Sequence, residues 1–457
     1  MAEGVPGQHA PRTVNPPPPT TGHKVDLDAL MGVRAIASLQ VAVGHYYLFV
    51  GQGFDLQGGS AVTLFFIVSG FIMTVAYLPK CDTPNFDRTF LVRRAARIFP
   101  LYWLGLVMHL PVVLSAMDSI IDDYVGSRVI VAVGMILDVF LLQSWLPGVG
   151  LFWNGVSWTM SVQLFFYSIF GCVARSVKRR IGRGCMKTSG VIWTLYGVTL
   201  ALTLLTLAAG GDDGYWLARA QPLLRLPTFL MGVYAGAATV ARANEAPNPA
   251  ETRRWAQVTD ALSLLIFLVL ALAAWVSSLC KECMFVRVVP EFLGSVAFAF
   301  WVRGLAEAPG SLSGRLLRWG VLRELGELSF AVYVLQVPVW ALLSAAARGS
   351  LAEAMGIVAF YYPEGSAEFT LLQPLLMFPF MAILLLVSAL ACRSVEQPCR
   401  RWAANRTRGQ QQRPPEGCCL EEGAAVDITV GKEEEGKKGE GRSNGTTGAA
   451  PAVAAMS

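Results

Sequence analysis

The sequence predicts an all-α fold, a polytopic bundle of transmembrane helices. Of its 457 residues, 54% are hydrophobic and only 15% are charged, and the mean hydropathy is +0.48. A soluble domain carries about 25% charged residues, so this chain lacks the polar surface that globules in water need. The apolar residues fall in blocks of roughly 18 to 23, the length that a helix needs to cross a bilayer. These observations exclude a soluble enzyme.

The apolar blocks, taken in order along the chain, predict the number of membrane spans. The basic segment 175–187 would lie on the wrong side of the membrane if 129–146 and 155–174 both crossed it. We therefore expect about ten spans and one further re-entrant or bundle-packed helix, with the choice between those two blocks left open. The eleven candidate blocks are 33–50, 60–78, 98–116, 129–146, 155–174, 191–209, 222–241, 258–279, 287–305, 327–347 and 370–392.

The charges of the loops predict the orientation. Lys and Arg in short loops stay in the cytoplasm. The segments 79–97 and 175–187 are rich in both, whereas 51–59 carries only Asp55. We expect a multi-pass membrane protein with both termini in the cytoplasm, and the pattern leaves the membrane itself open.

Composition divides the chain into three parts. Residues 1–24 contain a run of four prolines and are expected to be a disordered cytoplasmic leader. Residues 25–402 form the membrane domain. Residues 403–457 are too polar to fold on their own and are expected to be a disordered cytoplasmic tail.

Metal and nucleic-acid sites are not expected. Cys280 and Cys283 form the one CxxC among nine cysteines, and a zinc site would need two further ligands at matching spacing. The net charge of +5 is accounted for by the inner loops and does not indicate nucleic acid.

An arginine and a histidine share one face of the first predicted span. Arg34 and His45 are eleven residues apart, which is about three turns and about 16 Å along a helix. An ionisable side chain at membrane depth usually faces the bundle interior or a wet cavity. Neutral imidazole is a competent general base. The pair suits a ligand with a charged head at the inner face, although a hydrogen-bonded core histidine is the alternative. His109 has no such spaced partner and is expected to serve packing.

Two further arginines stand at the start of the third span. Arg94 and Arg97 lie at positions i and i+3, on one helix face. Two guanidinium groups on one face can bind a phosphate or pyrophosphate through paired hydrogen bonds. Basic residues that flank a span for orientation alone are the alternative.

Several segments together resemble the acyltransferase-3 family of polytopic membrane acyltransferases. The spacing of Arg34 and His45 resembles the Arg-x10-His motif of that family, and Arg94-Ala-Ala-Arg97 resembles its Arg-x-x-Arg motif. The other matches occur in family order over about residues 27–402. They are 65–71 (FFIVSGF), 157–167 (SWTMSVQLFFY), 325–333 (LGELSFAVY) and 395–402 (VEQPCRRW).

The resemblance implies an integral membrane O-acyltransferase with ten spans. It implies that His45 is the catalytic base and that Arg34, Arg94 and Arg97 bind the acyl-CoA donor, usually acetyl-CoA or another short acyl-CoA. The partners would be acyl-CoA, a hydroxyl-bearing carbohydrate, lipid or small-molecule acceptor, and the bilayer.

Four positions depart from the family pattern. Gln163 replaces the usual Glu, Gln336 replaces a His, and Thr63 replaces an Asp. Asp28 lies six residues before Arg34, where three is usual. These differences concern neither His45 nor the arginines, but they leave open an altered acceptor site or activity.

The sequence offers several groups to assist a transfer from acyl-CoA. The oxyanion that forms on the thioester needs hydrogen-bond donors, and Glu396 is a second catalytic candidate that either pairs with an arginine or orients His45. Glu396 could equally belong to a charged helix edge with Arg400 and Arg401. The acceptor or oxyanion candidates are Ser157, Thr159, Ser161 and Gln163.

Two other classes of function remain possible from the sequence. A transporter or flippase would use Arg34 and His45 as a proton or anion pathway. A catalytically inactive relative acting as a scaffold would be consistent with Gln163 and Gln336.

Overall fold

A computed structural model describes residues 25–411, except for 26, 51–55, 116, 118–127, 147–152, 184–186, 244, 246–247, 280–287 and 349–372. The described residues lie within one compact unit, Met1–Pro414. They form helices and connecting turns, and this part of the chain contains no β-strand. The all-α prediction is confirmed. The leader 1–24 and the Cys280–Cys283 pair lie outside the described residues.

The described helices follow the predicted blocks closely. Short 3-10 or π turns occur at Leu78–Lys80, Gln143–Trp145, Val289–Leu293 and Cys392–Glu396. The α-helices are α1 (Asp28–Phe49), α2 (Gly58–Tyr77), α3 (Phe86–Ser115), α4 (Arg128–Val139), α5 (Trp158–Gly182), α6 (Thr188–Ala220), α7 (Pro222–Arg242), α8 (Pro249–Leu279), α9 (Ser295–Glu307), α10 (Leu312–Leu317), α11 (Gly320–Arg348), α12 (Gln373–Ala391) and α13 (Gln397–Gln411).

Eight helices of the described part are long and apolar enough to cross a membrane. They begin at Gly58, Phe86, Trp158, Thr188, Pro222, Pro249, Gly320 and Leu375. The two other predicted spans correspond to α1 and to the segment 289–307. Helix α1 has 22 residues and is therefore about 33 Å long, but it carries Arg34, Gln40 and His45. The segment 289–307 combines a π turn with α9.

The structure distinguishes the two blocks that the charge pattern left open. Helix α4 has only 12 residues, about 18 Å, which is too short to span a bilayer core. Leu141, whose φ of 58° is in the left-handed region, turns the chain shortly after α4. Helix α5 has 25 residues. Block 129–146 is therefore the bundle-packed element, and Tyr102 of α3 donates a 2.5 Å hydrogen bond to the backbone carbonyl of Asp138 in α4.

Glycines allow α2 and α7 to pack with their backbones in contact. A Cβ atom at Gly70 of α2 would overlap the backbone carbonyl of Phe229, and one at Gly232 of α7 would overlap the backbone carbonyl of Ile67. Glycine is the residue that permits such an approach. Helix α1 packs against α2 and α11, which brings Arg34 and His45 into the bundle.

The last described helix extends beyond the boundary predicted at residue 402. Helix α13 continues to Gln411. Its Ala403 and Thr407 are buried, and Arg93 of α3 donates a 2.8 Å hydrogen bond to the Thr407 hydroxyl. This contact with α3 accounts for the helical start of the segment that composition predicts to be a tail. Residues 412–457 lie outside the described part.

Candidate active site

A cavity lies between helices α1, α2, α3, α5 and α11. Its empty space, counted together with its open mouth, is about 820 Å³. Charged residues come from α1 and α3, and the remaining wall is apolar apart from a few hydroxyls and one amide. The lining residues are Arg34, Val62, Phe65, Phe66, Val68, Ser69, Ile72, Met73, Arg94, Arg97, Ile98, Thr159, Met160, Gln163, Tyr167, Ser329, Phe330 and Tyr333.

Three arginines line this one cavity. Arg34 comes from α1, and Arg94 and Arg97 come from successive turns of α3. The i, i+3 spacing places the latter two on the same face of α3, as the sequence predicts. The three guanidinium groups repel one another electrostatically. Such a cluster of positive charge in a partly apolar cavity favours the binding of an anion.

Aromatic rings surround the guanidinium group of Arg94. Its central carbon lies 5.2 Å from the ring centre of Tyr77, 5.3 Å from that of Phe90 and 5.4 Å from that of Tyr167. Stacking on ring faces stabilises a guanidinium group and fixes the plane of its hydrogen-bond donors. The sequence did not reveal this cage, because its rings come from three different helices.

Glu396 lies with the arginines. It is the last residue of the π turn Cys392–Glu396 and is 1% exposed. Its Oε1 accepts a 3.3 Å hydrogen bond from Arg400, and its charge attracts Arg34 and Arg97. Of the roles considered from the sequence, this position supports pairing with arginine rather than orientation of His45.

Two hydrogen-bonded pairs of polar side chains lie in the otherwise largely apolar wall of the cavity. Gln163 of α5 donates a 2.8 Å hydrogen bond from Nε2 to the Ser69 hydroxyl of α2. Thr159 of α5 lies 3.1 Å from the Tyr333 hydroxyl of α11. Each pair joins two helices across the cavity, and each presents hydrogen-bonding atoms to its interior.

Two of the predicted acceptor or oxyanion candidates lie away from the cavity. The Ser157 hydroxyl accepts a 2.9 Å hydrogen bond from Nε2 of Gln143. The Ser161 hydroxyl lies 3.4 Å from the backbone nitrogen of Ser144. Both serines thus bond the turn Gln143–Trp145, and neither lines the cavity. Only Thr159 and Gln163 of this set line the cavity.

His45 is not part of the cavity wall. It lies on α1 about 16 Å along the helix axis from Arg34, and its Nδ1 is 3.1 Å from Oε1 of Gln336 on α11. Gln336 follows Tyr333, a lining residue, by one turn of the same helix. Arg34 and His45 are therefore at different depths in the bundle, as their spacing predicts. His109 is fully buried on α3.

A second buried ionic group, which the sequence did not reveal, lies where α2 meets α7. Arg225 and Glu291 form a fully buried ion pair, and Tyr215 donates a 2.9 Å hydrogen bond to Glu291. Arg225 also donates a 3.2 Å hydrogen bond to the Thr63 hydroxyl. Thr63 occupies a position at which the resembling family has Asp. The carboxylate that faces Arg225 in this chain comes from Glu291.

Comparison with known proteins identifies the class to which this bundle and cavity belong. The family profile described as "Acyltransferase domain" (acyltransferase-3) matches residues 27–393. The chain belongs to this family. Its family and its long apolar helices make it a membrane acyltransferase. The match includes every helix that lines the cavity.

Characterised relatives are similar at moderate identity. The acyltransferase MdmB of Streptomyces mycarofaciens is 27% identical over 336 residues, which cover 69% of this chain and 79% of the relative. The exopolysaccharide production protein ExoZ of Rhizobium meliloti is 25% identical over 39% of this chain and 50% of the relative. The O-acetyl transferase of Shigella phage Sf6 is 34% identical over 15% of this chain and 21% of the relative. No solved structure matches the chain.

Proposed function

We propose that this acyltransferase moves an acyl group from cytoplasmic acyl-CoA to a hydroxyl group of an acceptor, with His45 as general base. The observation that carries the proposal is the convergence of Arg34, Arg94 and Arg97 on one cavity. A largely apolar cavity with three guanidinium groups suits a ligand with a phosphate-rich head and an uncharged arm, which is the chemistry of CoA.

The arginines would bind the phosphate groups of the donor. Arg94 is held by its aromatic cage, and Glu396 provides only partial charge compensation beside Arg34 and Arg97. With the basic loops in the cytoplasm, this end of the cavity faces the compartment that supplies acyl-CoA. The extended pantetheine arm then lies along the apolar wall and directs the thioester toward His45.

His45 would carry the proton in the transfer step. Its imidazole accepts the proton of the acceptor hydroxyl while the oxygen attacks the thioester carbonyl. The new C–O bond forms, the C–S bond breaks, and the leaving thiolate recovers the proton as free CoA. Among the hydrogen-bond donors that line the cavity, Gln163 and Thr159 are the ones that we assign to the developing oxyanion.

A carbohydrate hydroxyl is the acceptor class that we infer. Support comes from the similarity to the exopolysaccharide production protein of Rhizobium meliloti. A short acyl group, such as acetyl, is the donor group that we infer, and the similarity to the O-acetyl transferase of Shigella phage Sf6 supports it.

The test is release of CoA thiol from acetyl-CoA by the protein in lipid vesicles, with a crude lipid and glycan extract as acceptor. We expect wild-type protein to release CoA and His45→Ala to lose at least about 100-fold of the rate, the scale of a lost general base. Binding of CoA itself should persist in His45→Ala, because Arg34 is about 16 Å away along α1 and His45 does not line the cavity that holds the three arginines. Unchanged release in this variant would contradict the role of His45. Absence of release and of CoA binding in wild type would favour a transporter or scaffold.

A further inference from the structure

Gln336 is a buried glutamine whose side chain is bonded at both ends. It lies on α11 and is 0% exposed. Its Nε2 donates a 2.8 Å hydrogen bond to the backbone carbonyl of Tyr333, and its Oε1 lies 3.1 Å from Nδ1 of His45. A backbone carbonyl only accepts hydrogen bonds, so the amide nitrogen must face Tyr333 and the amide oxygen must face His45.

This arrangement determines the tautomer of His45. Because the Oε1 atom of Gln336 only accepts, Nδ1 of His45 must be the protonated nitrogen. The lone pair of the neutral ring then lies on Nε2, which is the nitrogen able to act as a base. The ring also stacks on Phe49, with ring centres 5.9 Å apart. Both contacts restrict rotation of the imidazole.

A neighbouring contact fixes the part of α11 that carries Gln336. Pro338 has no amide hydrogen, so the carbonyl of Val334, four residues earlier, has no helical partner. The Nδ2 atom of Asn154 donates a 3.1 Å hydrogen bond to that carbonyl, and Asn154 is fully buried. The backbone two residues before Gln336 is therefore held by Asn154, while the side chain of Gln336 faces His45.

We propose that Gln336 is the positioning residue for His45: it holds the proton on Nδ1 and orients Nε2 toward the acceptor hydroxyl. The inference rests on the proposed function, in which His45 is the base. When Nε2 takes the hydroxyl proton, the ring becomes an imidazolium and its hydrogen bond to Gln336 becomes charge-assisted. The amide gains no proton itself. The proton leaves from Nε2 to the thiolate of CoA.

The decisive variant is Gln336→Met, which keeps the length of the side chain and removes both hydrogen bonds. We expect kcat to fall roughly 10- to 100-fold, the effect of losing a hydrogen bond to a charged group. The KM for acetyl-CoA and the affinity for CoA should stay unchanged, because the arginines are elsewhere in the bundle. An unchanged kcat, or a KM that rises in step with the loss of kcat, would contradict the inference.

Gln336→Glu tests rescue by a conservative change. A protonated carboxyl group can donate to the Tyr333 carbonyl and accept from Nδ1 with the same geometry, so we expect most of the wild-type kcat to return. The matched control is Gln143→Met, another buried glutamine, which should behave as wild type. Loss of activity in Gln336→Glu as severe as in Gln336→Met would overturn the positioning role.

A spectroscopic measurement tests the tautomer in folded wild-type protein. In protein labelled with ¹⁵N-histidine, the resonances that disappear in His45→Ala should show a protonated Nδ1 and an unprotonated Nε2. The opposite tautomer would contradict the inference even if a variant failed to fold. Full activity of His45→Ala would contradict the proposed function. If His45→Ala is inactive and Gln336→Met is fully active, only the role of Gln336 is contradicted.

Discussion

Arg94 and Arg93 are adjacent residues with the same charge and different surroundings. Arg94 lines the cavity inside its aromatic cage, whereas Arg93 points to α13 and bonds Thr407. Two neighbouring positive charges at the start of this span therefore have different locations: that of Arg93 is beside α13, and that of Arg94 is in the cavity.

The pair allows a matched test of donor binding. Lys keeps the charge of Arg94 but loses the planar group that stacks on the rings and donates paired hydrogen bonds. We expect Arg94→Lys to raise the KM for acetyl-CoA about 10-fold or more, the cost of a hydrogen bond to a charged group. Arg93→Lys should leave this KM unchanged. Equal effects of the two substitutions, measured by CoA release, would contradict the assignment of Arg94 to the donor.

At this scale the sequence predicted which arginines share a cavity but not what surrounds them. The 3.6-residue helical period is a local property, so the spacing of Arg94 and Arg97 fixed their common face. The ring of Tyr167 comes from α5 and reaches Arg94 only through tertiary packing. For the same reason the serines at 157 and 161 could not be distinguished from Gln163 before the faces of α5 were known.

Helix α4 shows where hydropathy fails to predict a membrane-spanning helix. Block 129–146 is apolar for the length of a span, yet the helix has only 12 residues. Asp138 near its end is 0% exposed, and the chain turns at Leu141. Hydropathy alone measures the apolar length of a segment, and it does not detect a turn that shortens the helix.

The contact between α2 and α7 gives a test of the bundle. A methyl group at Gly232 would meet the backbone carbonyl of Ile67, which cannot move aside cheaply. We expect Gly232→Ala to lower stability by about 1–3 kcal/mol, the usual cost of overpacking, measured as a lower thermal midpoint in detergent. The matched control is Gly197→Ala on α6, where a Cβ atom would meet open space. That variant should be neutral or slightly more stable, since Ala favours a helix. A neutral Gly232→Ala would contradict the close packing of α2 and α7.

For the whole molecule, the composition predicts the helical fold, whereas the orientation in the membrane is predicted only from the charges of the loops. Eight helices of the described part meet the length and hydropathy of spans, because the bilayer imposes both requirements on the sequence. Arg34 and His45 lie at different depths because they are eleven residues apart on the same helix, α1. Which end of that helix faces the cytoplasm follows only from the distribution of Lys and Arg among the loops.

The orientation is tested by an epitope tag placed after Ser457. The basic loops predict a cytoplasmic C-terminus. An antibody added to the cells should therefore label the tag only after the membrane has been permeabilised. The control is a tag on a separate membrane protein of established outward orientation in the same cells. Labelling of the C-terminal tag in intact cells would reverse the orientation and place the arginines away from the supply of acyl-CoA.

The most direct test follows the acyl group itself. Wild-type protein in lipid vesicles, given acetyl-CoA labelled in its acetyl group and a crude glycan and lipid extract, should transfer the label to a hydroxyl of an extract component as an ester. His45→Ala should bind CoA and transfer no label above background. Transfer at the wild-type rate by His45→Ala, or thiol release from wild type without any labelled ester, would contradict an O-acyltransferase that uses His45 as its base.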